Sequence, residues 1–486
     1  MRSIFLIMLL GCLVSVAGQD CDCSSNFQWL RTTFEENDAG FAYALERKGE
    51  EAYQQHNQMY EAKVKEIDDM EVCWGALSDW LGFFRSGHLN LQYYPSGNTQ
   101  SQAPGAQPDE EAIRAQYIDW ETLEVDLENF SAYLENQSKD PYEGIWVSSP
   151  YRIGIKKMND TYVGFIIEAD GAYWTEDQVK LKIHPDGSGT YYMRDHSAEE
   201  FKPEQVKLVG NNLLQMDFIS LEREFPKRPE KPEVIRYMKA MQANRPYFER
   251  VNENTVMLRI PSFSNSWKPL IDSVILANRE TILQSPSLIL DLRNNGGGSD
   301  ASFRELLPIL YTNPIRTVGV EFLSTPLNNQ RMLDFINKPE YNFSESDKKW
   351  AQEAYDKLSK REGEFVMLNE YPIDLTTFDT VYTYPENVAI LINEGNGSTT
   401  EQFLLAAKQS RKVKLFGTTT YGVLDISNMH SVSSPCGNLT LGYSLSRSMR
   451  IPDMTIDEKG IQPDYYIDRQ FEPYEWIDYV VEILGY

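Results

Sequence analysis

The sequence predicts an α/β core with a mostly parallel sheet, preceded by an N-terminal helical bundle and an antiparallel β-rich middle domain. Three observations carry this. From 246 to about 470, strand-like and helical runs alternate: "TVMLRI", a helix over 268–284, "SLILDL", a helix from 300, "VAILI", a helix from 399, then "VKLFG". From 140 to 223, short aromatic and β-branched runs are separated by Asp-Gly, Asn-Asp and Asn-Asn turns, the spacing of a barrel or sandwich. Over 24–85, Phe27, Leu30 and Phe34 share one helical face, and Trp74, Leu77, Leu81 and Phe84 another.

In chain order, the first 18 residues predict an export leader: Met1-Arg2, an apolar run, then small residues at "AGQ". A rival reading takes "LLGC" as a lipoprotein site with Cys12 carrying the lipid, but the residues after Cys12 stay apolar, which favours simple cleavage. The helical bundle spans 19–92; Gly82 and Gly87 end its pattern, and "HLNLQYY" alternates like a strand. A linker and helix occupy 93–139, beginning with the Pro/Gly-rich stretch 96–111, and the β-rich domain covers 140–225. The α/β core is assigned to 246–486.

With 41% hydrophobic and 12% aromatic residues, the 486-residue chain can bury two or three real cores. A formal charge of −26 and a pI near 4.7 argue against nucleic acid and anionic membrane surfaces as partners. No stretch beyond the leader is long and apolar enough to span a bilayer. Export implies an oxidising compartment in which Cys21, Cys23, Cys73 and Cys436 pair. Either Cys21 or Cys23 could reach Cys73, and the pairing stays open. No histidine stands at ligand spacing from these cysteines, so no zinc site is expected there; no other metal and no cofactor is expected either.

The chemistry concentrates at strand ends. In "LILDLRNNGGGSD" an apolar strand gives way to Gly296, Gly297 and Gly298, where a ligand can approach the main-chain N–H groups. Ser299 and Asp300 are N-cap types, and Phe303, Leu306, Leu307 and Leu310 recur at helical spacing. A strand–glycine–helix turn is an anion site, for phosphate or for the oxyanion of a reacting carbonyl. No Gly-Lys-Ser/Thr follows, so the phosphate reading lacks its partner residues. "VAILINEGNGSTTEQFLLAAKQ" repeats the logic with Ser398 at the junction. Ser398-Thr-Thr-Glu401 reads as a capping box, yet a serine there is also placed as a nucleophile, with the N–H of Thr399 beside it. Its base must come from His56, His88, His184, His196 or His430, and spacing alone does not choose between His88 and His430.

Taken together, "LILDLRNNGGG", "NGSTTEQFLLAA" and "FGTTTYG" resemble the serine proteases of the C-terminal processing (tail-specific) and tricorn-core family, whose core is ClpP/crotonase-like. "RSGHLNL" is similar to that family's His segment, with Ser86 in place of the usual Asp, and "IDEKGIQPDYYI" to its closing segment. The tail-specific branch uses a Ser–Lys dyad, but Val423 stands where that lysine would be. The tricorn-like branch implies Ser398 as nucleophile, His88 as base and Glu458 on the His side. Ser86 is an accessory candidate. The resemblance implies an oxyanion hole from Thr399 and a glycine, Gly297 first and Gly296 beside it, with Glu401 and Asp291 structural. It does not extend to the PDZ module of many members. The function implied is an exported serine endopeptidase acting on peptides or unfolded proteins; the alternative is a non-catalytic binder of peptides or hydrophobic ligands on the same fold.

Overall fold

The computed structural model describes residues 21–94, 110–136, 139–341, 343–467 and 470–485. The leader, Cys12 and most of the Pro/Gly linker lie outside them. Among the described residues two compact units emerge: those within 1–101, 262–286 and 290–466 form the first, and those within 102–261, 287–289 and 467–486 the second.

The first unit opens with helices Cys23–Asn37, Phe41–Lys48, Glu50–Lys63 and Met70–Gly82. Asp22 caps the first by accepting from the Ser25 N–H, and Asp69 caps the fourth through Glu71 and Val72. Gly49, at φ +92°, turns the chain between the second and third. Phe27, Leu30, Phe34, Leu77, Trp80 and Phe84 bury together, and a Cys23–Cys73 disulfide joins the first helix to the fourth. Trp74 departs from the expected buried face: it is 36% exposed and its indole donates to the Leu91 carbonyl.

The bundle packs on Leu439, Leu441, Tyr443 and Leu445 of strand Leu439–Ser448, the centre of an antiparallel sheet that the sequence pattern does not announce. Strand Asn90–Tyr93 pairs with it, Asn90 opposite Gly442, and so anchors the loop carrying His88 two residues upstream. Strand Ile426–Ser433 pairs with the same strand, and the Cys21–Cys436 disulfide ties the hairpin between them to the start of the first helix. Parallel pairing is present in this unit too: strand Asn387–Ile392 pairs with Val413–Gly417, which pairs with Tyr465–Tyr466. The helix expected from 300 needs correcting, for the chain forms a 3-10 turn at Asp300–Phe303 and one helical turn at Leu307–Leu310. Pro308 supplies no N–H to extend a longer helix back across this stretch. Ser299 makes no side-chain cap bond.

In the second unit, nine strands between Gly144 and Phe225 form one antiparallel sheet with Trp146, Ile153, Ile155, Trp174, Leu181 and Leu221 buried in its core. The expected barrel or sandwich is a single rolled sheet: a Cβ on Gly189 would lie 2.6 Å from Met216 Cε and 2.9 Å from Val206 Cγ2, side chains from the far end of the strand order. Inside it, Lys180 is fully buried, its ammonium 3.8 Å from the Trp174 ring centroid and 4.1 Å from that of Tyr151, donating to the Met193 carbonyl. Burial drives its pKa down to about 7, against the opposing charges of Asp170 and Asp195. A folded-state pKa below the unfolded one means that the unfolded chain alone holds the proton from about 7 up to the ordinary 10.5, so stability should rise with pH across that window. Lys180→Met should therefore raise the urea midpoint at pH 7–8 by the equivalent of roughly 1–3 kcal/mol and flatten its pH slope. An unchanged midpoint and slope would refute this.

Candidate active site

Ser398 stands where the buried run Val388–Ile392 reaches the end of its strand and helix Thr399–Ala407 begins. Four asparagines brace this turn against the glycine turn. Asn396 Nδ2 donates to the carbonyls of Leu292 and Asn295, at 2.5 and 3.1 Å, and Asn393 Nδ2 donates to Asn294 Oδ1 at 2.7 Å. Asn295 Oδ1 accepts from the Thr400 hydroxyl, at 2.9 Å. Motif spacing does not single these residues out; the available signal is "NN" followed a hundred residues later by "NEGN". Asp291, at the end of strand Ser287–Asp291, is buried and paired with Arg293 at 2.8 Å.

The capping box is not formed. Ser398 has φ +55° and makes no side-chain cap bond; its hydroxyl lies 3.1 Å from His88 Nε2. Glu401 is buried and accepts from Thr420 Oγ1 and from the N–H groups of Gly422 and Val423, at 2.5, 2.7 and 2.8 Å. It thereby fixes the neighbouring loop, whose Val423 carbonyl receives the Ser398 N–H. Val423 wedges between the two site loops: a Cβ on Gly87 would lie 2.2 Å, and one on Gly397 2.7 Å, from its methyls.

His88, at φ +50°, is set by its arginine neighbour. Arg85 grips the Asp38 carboxylate with two 2.6 Å bonds and donates to the carbonyls of Gly87 and His88. His88 Nδ1 lies 2.7 Å from the Ile426 carbonyl. A carbonyl only accepts, so Nδ1 carries the hydrogen and the neutral ring presents the Nε2 lone pair to Ser398. Burial, and then the Arg85 charge, hold the His88 pKa below its ordinary value, opposed by the Ile426 bond; the ring is neutral at pH 7. The other histidines are occupied elsewhere: His56 with the Trp80 carbonyl, His184 with Thr190, and His196 with the Tyr173 carbonyl. His430 packs edge-on against Tyr443 and is pushed down to about 4 by burial. His88 is the histidine whose ring meets Ser398 among the described residues.

Two expectations change. Glu458, expected on the His side, has its carboxylate paired with Arg47 at 2.5 Å, and a main-chain carbonyl takes the bond at Nδ1. Gly297, expected as an oxyanion donor, directs its N–H to Asn295 Oδ1, at 3.1 Å. The residue serves as space: a Cβ there would meet Gly397 O, Ser398 Cβ and Thr399 N within 2.9 Å. The N–H groups of Gly296 and Thr399 have no such partner among the described residues. Ser86 accepts through its carbonyl from Tyr421, and no hydrogen bond joins its hydroxyl to His88 among the described residues. Ser398, His88 and Glu458 all lie in the sparsely populated positive-φ region, a strain that persists only where the surrounding structure over-determines it.

Residues 254–467 match the model of peptidase family S41. No curated protein matches the chain. Among solved structures, mature CPAF aligns over 95% of this chain and 96% of its own at 12% identity, with a TM-score of 0.51, a likeness of fold. A putative peptidase from Parabacteroides merdae ATCC 43184 aligns over 96% and 98% at 13% identity, with a TM-score of 0.42. The photosystem II D1 C-terminal processing protease aligns over 96% of this chain and 97% of its own at 12% identity, with a TM-score of 0.41.

Proposed function

Because residues 254–467 are a peptidase family S41 domain, and the protein thus a serine-type peptidase, we propose that it is an exported endopeptidase working through Ser398 and His88. The observation that carries this is the 3.1 Å contact between the Ser398 hydroxyl and the unprotonated nitrogen of His88. In the first step, Ser398 Oγ bonds to a peptide carbonyl carbon while its proton passes to His88 Nε2. The carbonyl oxygen becomes an oxyanion, held by the N–H groups of Thr399, at the positive end of helix Thr399–Ala407, and of Gly296. The imidazolium, still bonded to the Ile426 carbonyl, then gives its proton to the leaving amine and the C–N bond breaks. Water repeats the sequence on the acyl-enzyme, releasing the acid and restoring Ser398. Glu458 enters as charge: it compensates Arg47, with which it lines a pocket that Gly87 and Ile426, the chain neighbour and the hydrogen-bond partner of His88, also line. Two disulfides support assembly in an oxidising compartment, and no helix among the described residues is long and apolar enough to cross a membrane.

The test is mass spectrometry of a pool of peptides and unfolded proteins incubated with the enzyme; absence of cleavage by the folded chain would favour a binding protein. On a peptide found this way, kcat/KM should rise through an acidic limb centred below 6.5, because protonated His88 cannot accept the serine proton. A limb centred above 6.5 would count against His88 as the base.

A further inference from the structure

The imidazole that faces Ser398 is oriented by a peptide carbonyl, and that carbonyl belongs to a segment held by two acids, Asp425 buried and Asp457 half-buried. Asp457 Oδ1 accepts from the N–H groups of Leu424 and Asp425, both at 2.6 Å, and its Oδ2 from Ile426 at 3.2 Å. The return set is symmetrical: Asp425 Oδ2 accepts from the N–H groups of Ile456 and Asp457, at 2.6 and 2.9 Å. Asp425 has Arg450 as its counter-ion, at 2.8 Å through Nε. Two carboxylates thus lace segments 424–426 and 456–457 together by main-chain bonds, and the product of the lacing is a fixed Ile426 carbonyl 2.7 Å from His88 Nδ1.

The arrangement is costly. Burial and the charge of Asp425 push Asp457 up to about 6, so keeping it ionised at neutral pH works against folding. Two successive peptide N–H groups converge on one Asp457 oxygen, and the third belongs to Ile426 itself, the residue whose carbonyl His88 needs. A neutral acceptor would hold the loop less tightly, since bonds to an ionised group are about twice as strong as neutral ones.

We propose that Asp457 is a positioning residue for the Ser398–His88 reaction: it fixes the Ile426 carbonyl that selects the Nδ1–H tautomer of His88, in the place a carboxylate would take directly in a Ser–His–acid triad. Asp457 touches neither substrate nor the reacting atoms. The proposal rests on the Ser398–His88 reading, and its test separates the two. Asp457→Asn keeps the shape but turns an amide N–H2 toward a main-chain N–H; Asp457→Ser removes the charge in a smaller side chain and is measured beside it. Each full-length variant should lower kcat about 10- to 100-fold with KM within about twofold, the cost of a misplaced base and not of lost binding. With 15N-labelled histidine, the wild-type His88 signal should show one fixed tautomer, identified by its loss in His88→Ala, and both variants should show a mixture. Wild-type kcat with the fixed tautomer would overturn the proposal. So would a lower kcat with the tautomer intact, which would leave Asp457 a stabilising role alone. Cleavage that survives in Ser398→Ala would overturn the parent reading, while the tautomer still reports on Asp457.

Discussion

Ser398→Ala should abolish peptide cleavage, with kcat falling on the order of 10⁴- to 10⁶-fold while the fold persists. The expectation follows from what the hydroxyl does and does not do. It makes no helix-capping bond, so its removal leaves no helix N–H unsatisfied, and alanine inherits the same φ of +55° at no added steric cost. What is lost is the atom that, in the proposed reaction, forms the acyl-enzyme. His88→Ala should fall by a similar factor, and the double variant no further, because nucleophile and base act as one unit. The measurement is kcat on a peptide the wild type cleaves, with thermal unfolding followed in parallel. More than a hundredth of wild-type activity in a well-folded Ser398→Ala would remove Ser398 from the nucleophile's role.

Gly297→Ala should carry the next largest loss, although it deletes no functional group. At φ +107° the residue occupies backbone space that L side chains rarely enter, and the new methyl would sit 2.8 Å from the Gly397 carbonyl and 2.9 Å from both Ser398 Cβ and Thr399 N. The atoms forced to yield are the nucleophile's own loop and its neighbouring oxyanion donor. Displacement of that order lowers kcat about 100-fold or more, with a stability loss of roughly 1–3 kcal/mol from backbone strain. Gly75→Ala is the contrast: within helix Met70–Gly82, with nothing within 4 Å of its added methyl, it should leave kcat unchanged and add roughly 0.5–1 kcal/mol. Equal behaviour of the two variants would show that the close approach at Gly297 does not shape the site.

Much of the fold and of the site is legible in the sequence because it rests on local rules. Helical spacing of Phe27, Leu30 and Phe34, the apolar runs 288–292 and 388–392, and glycines after a strand are properties of neighbouring residues. Ser398 and the glycine turn are therefore readable as a pair of strand ends from the residue pattern alone. The local rules fail where two uses of one residue compete. Ser398-Thr-Thr-Glu401 has the pattern of a capping box, but Glu401 is drawn to Thr420, Gly422 and Val423, and the serine hydroxyl is left for His88.

The sequence by itself determined the setting of Ser398, the glycines that make room for it and the helical and strand runs that carry them. The tertiary structure decided the rest: which histidine ring meets Ser398, which nitrogen faces it, and where Glu458 points. Those choices depend on partners far apart in the chain, His88 with Ile426, Arg47 with Glu458, Cys21 with Cys436. The partner at His88 Nδ1 is a main-chain carbonyl, a group every residue carries, so no side-chain pattern could announce it; only the pairing of strands that brings it within 2.7 Å makes it part of the site.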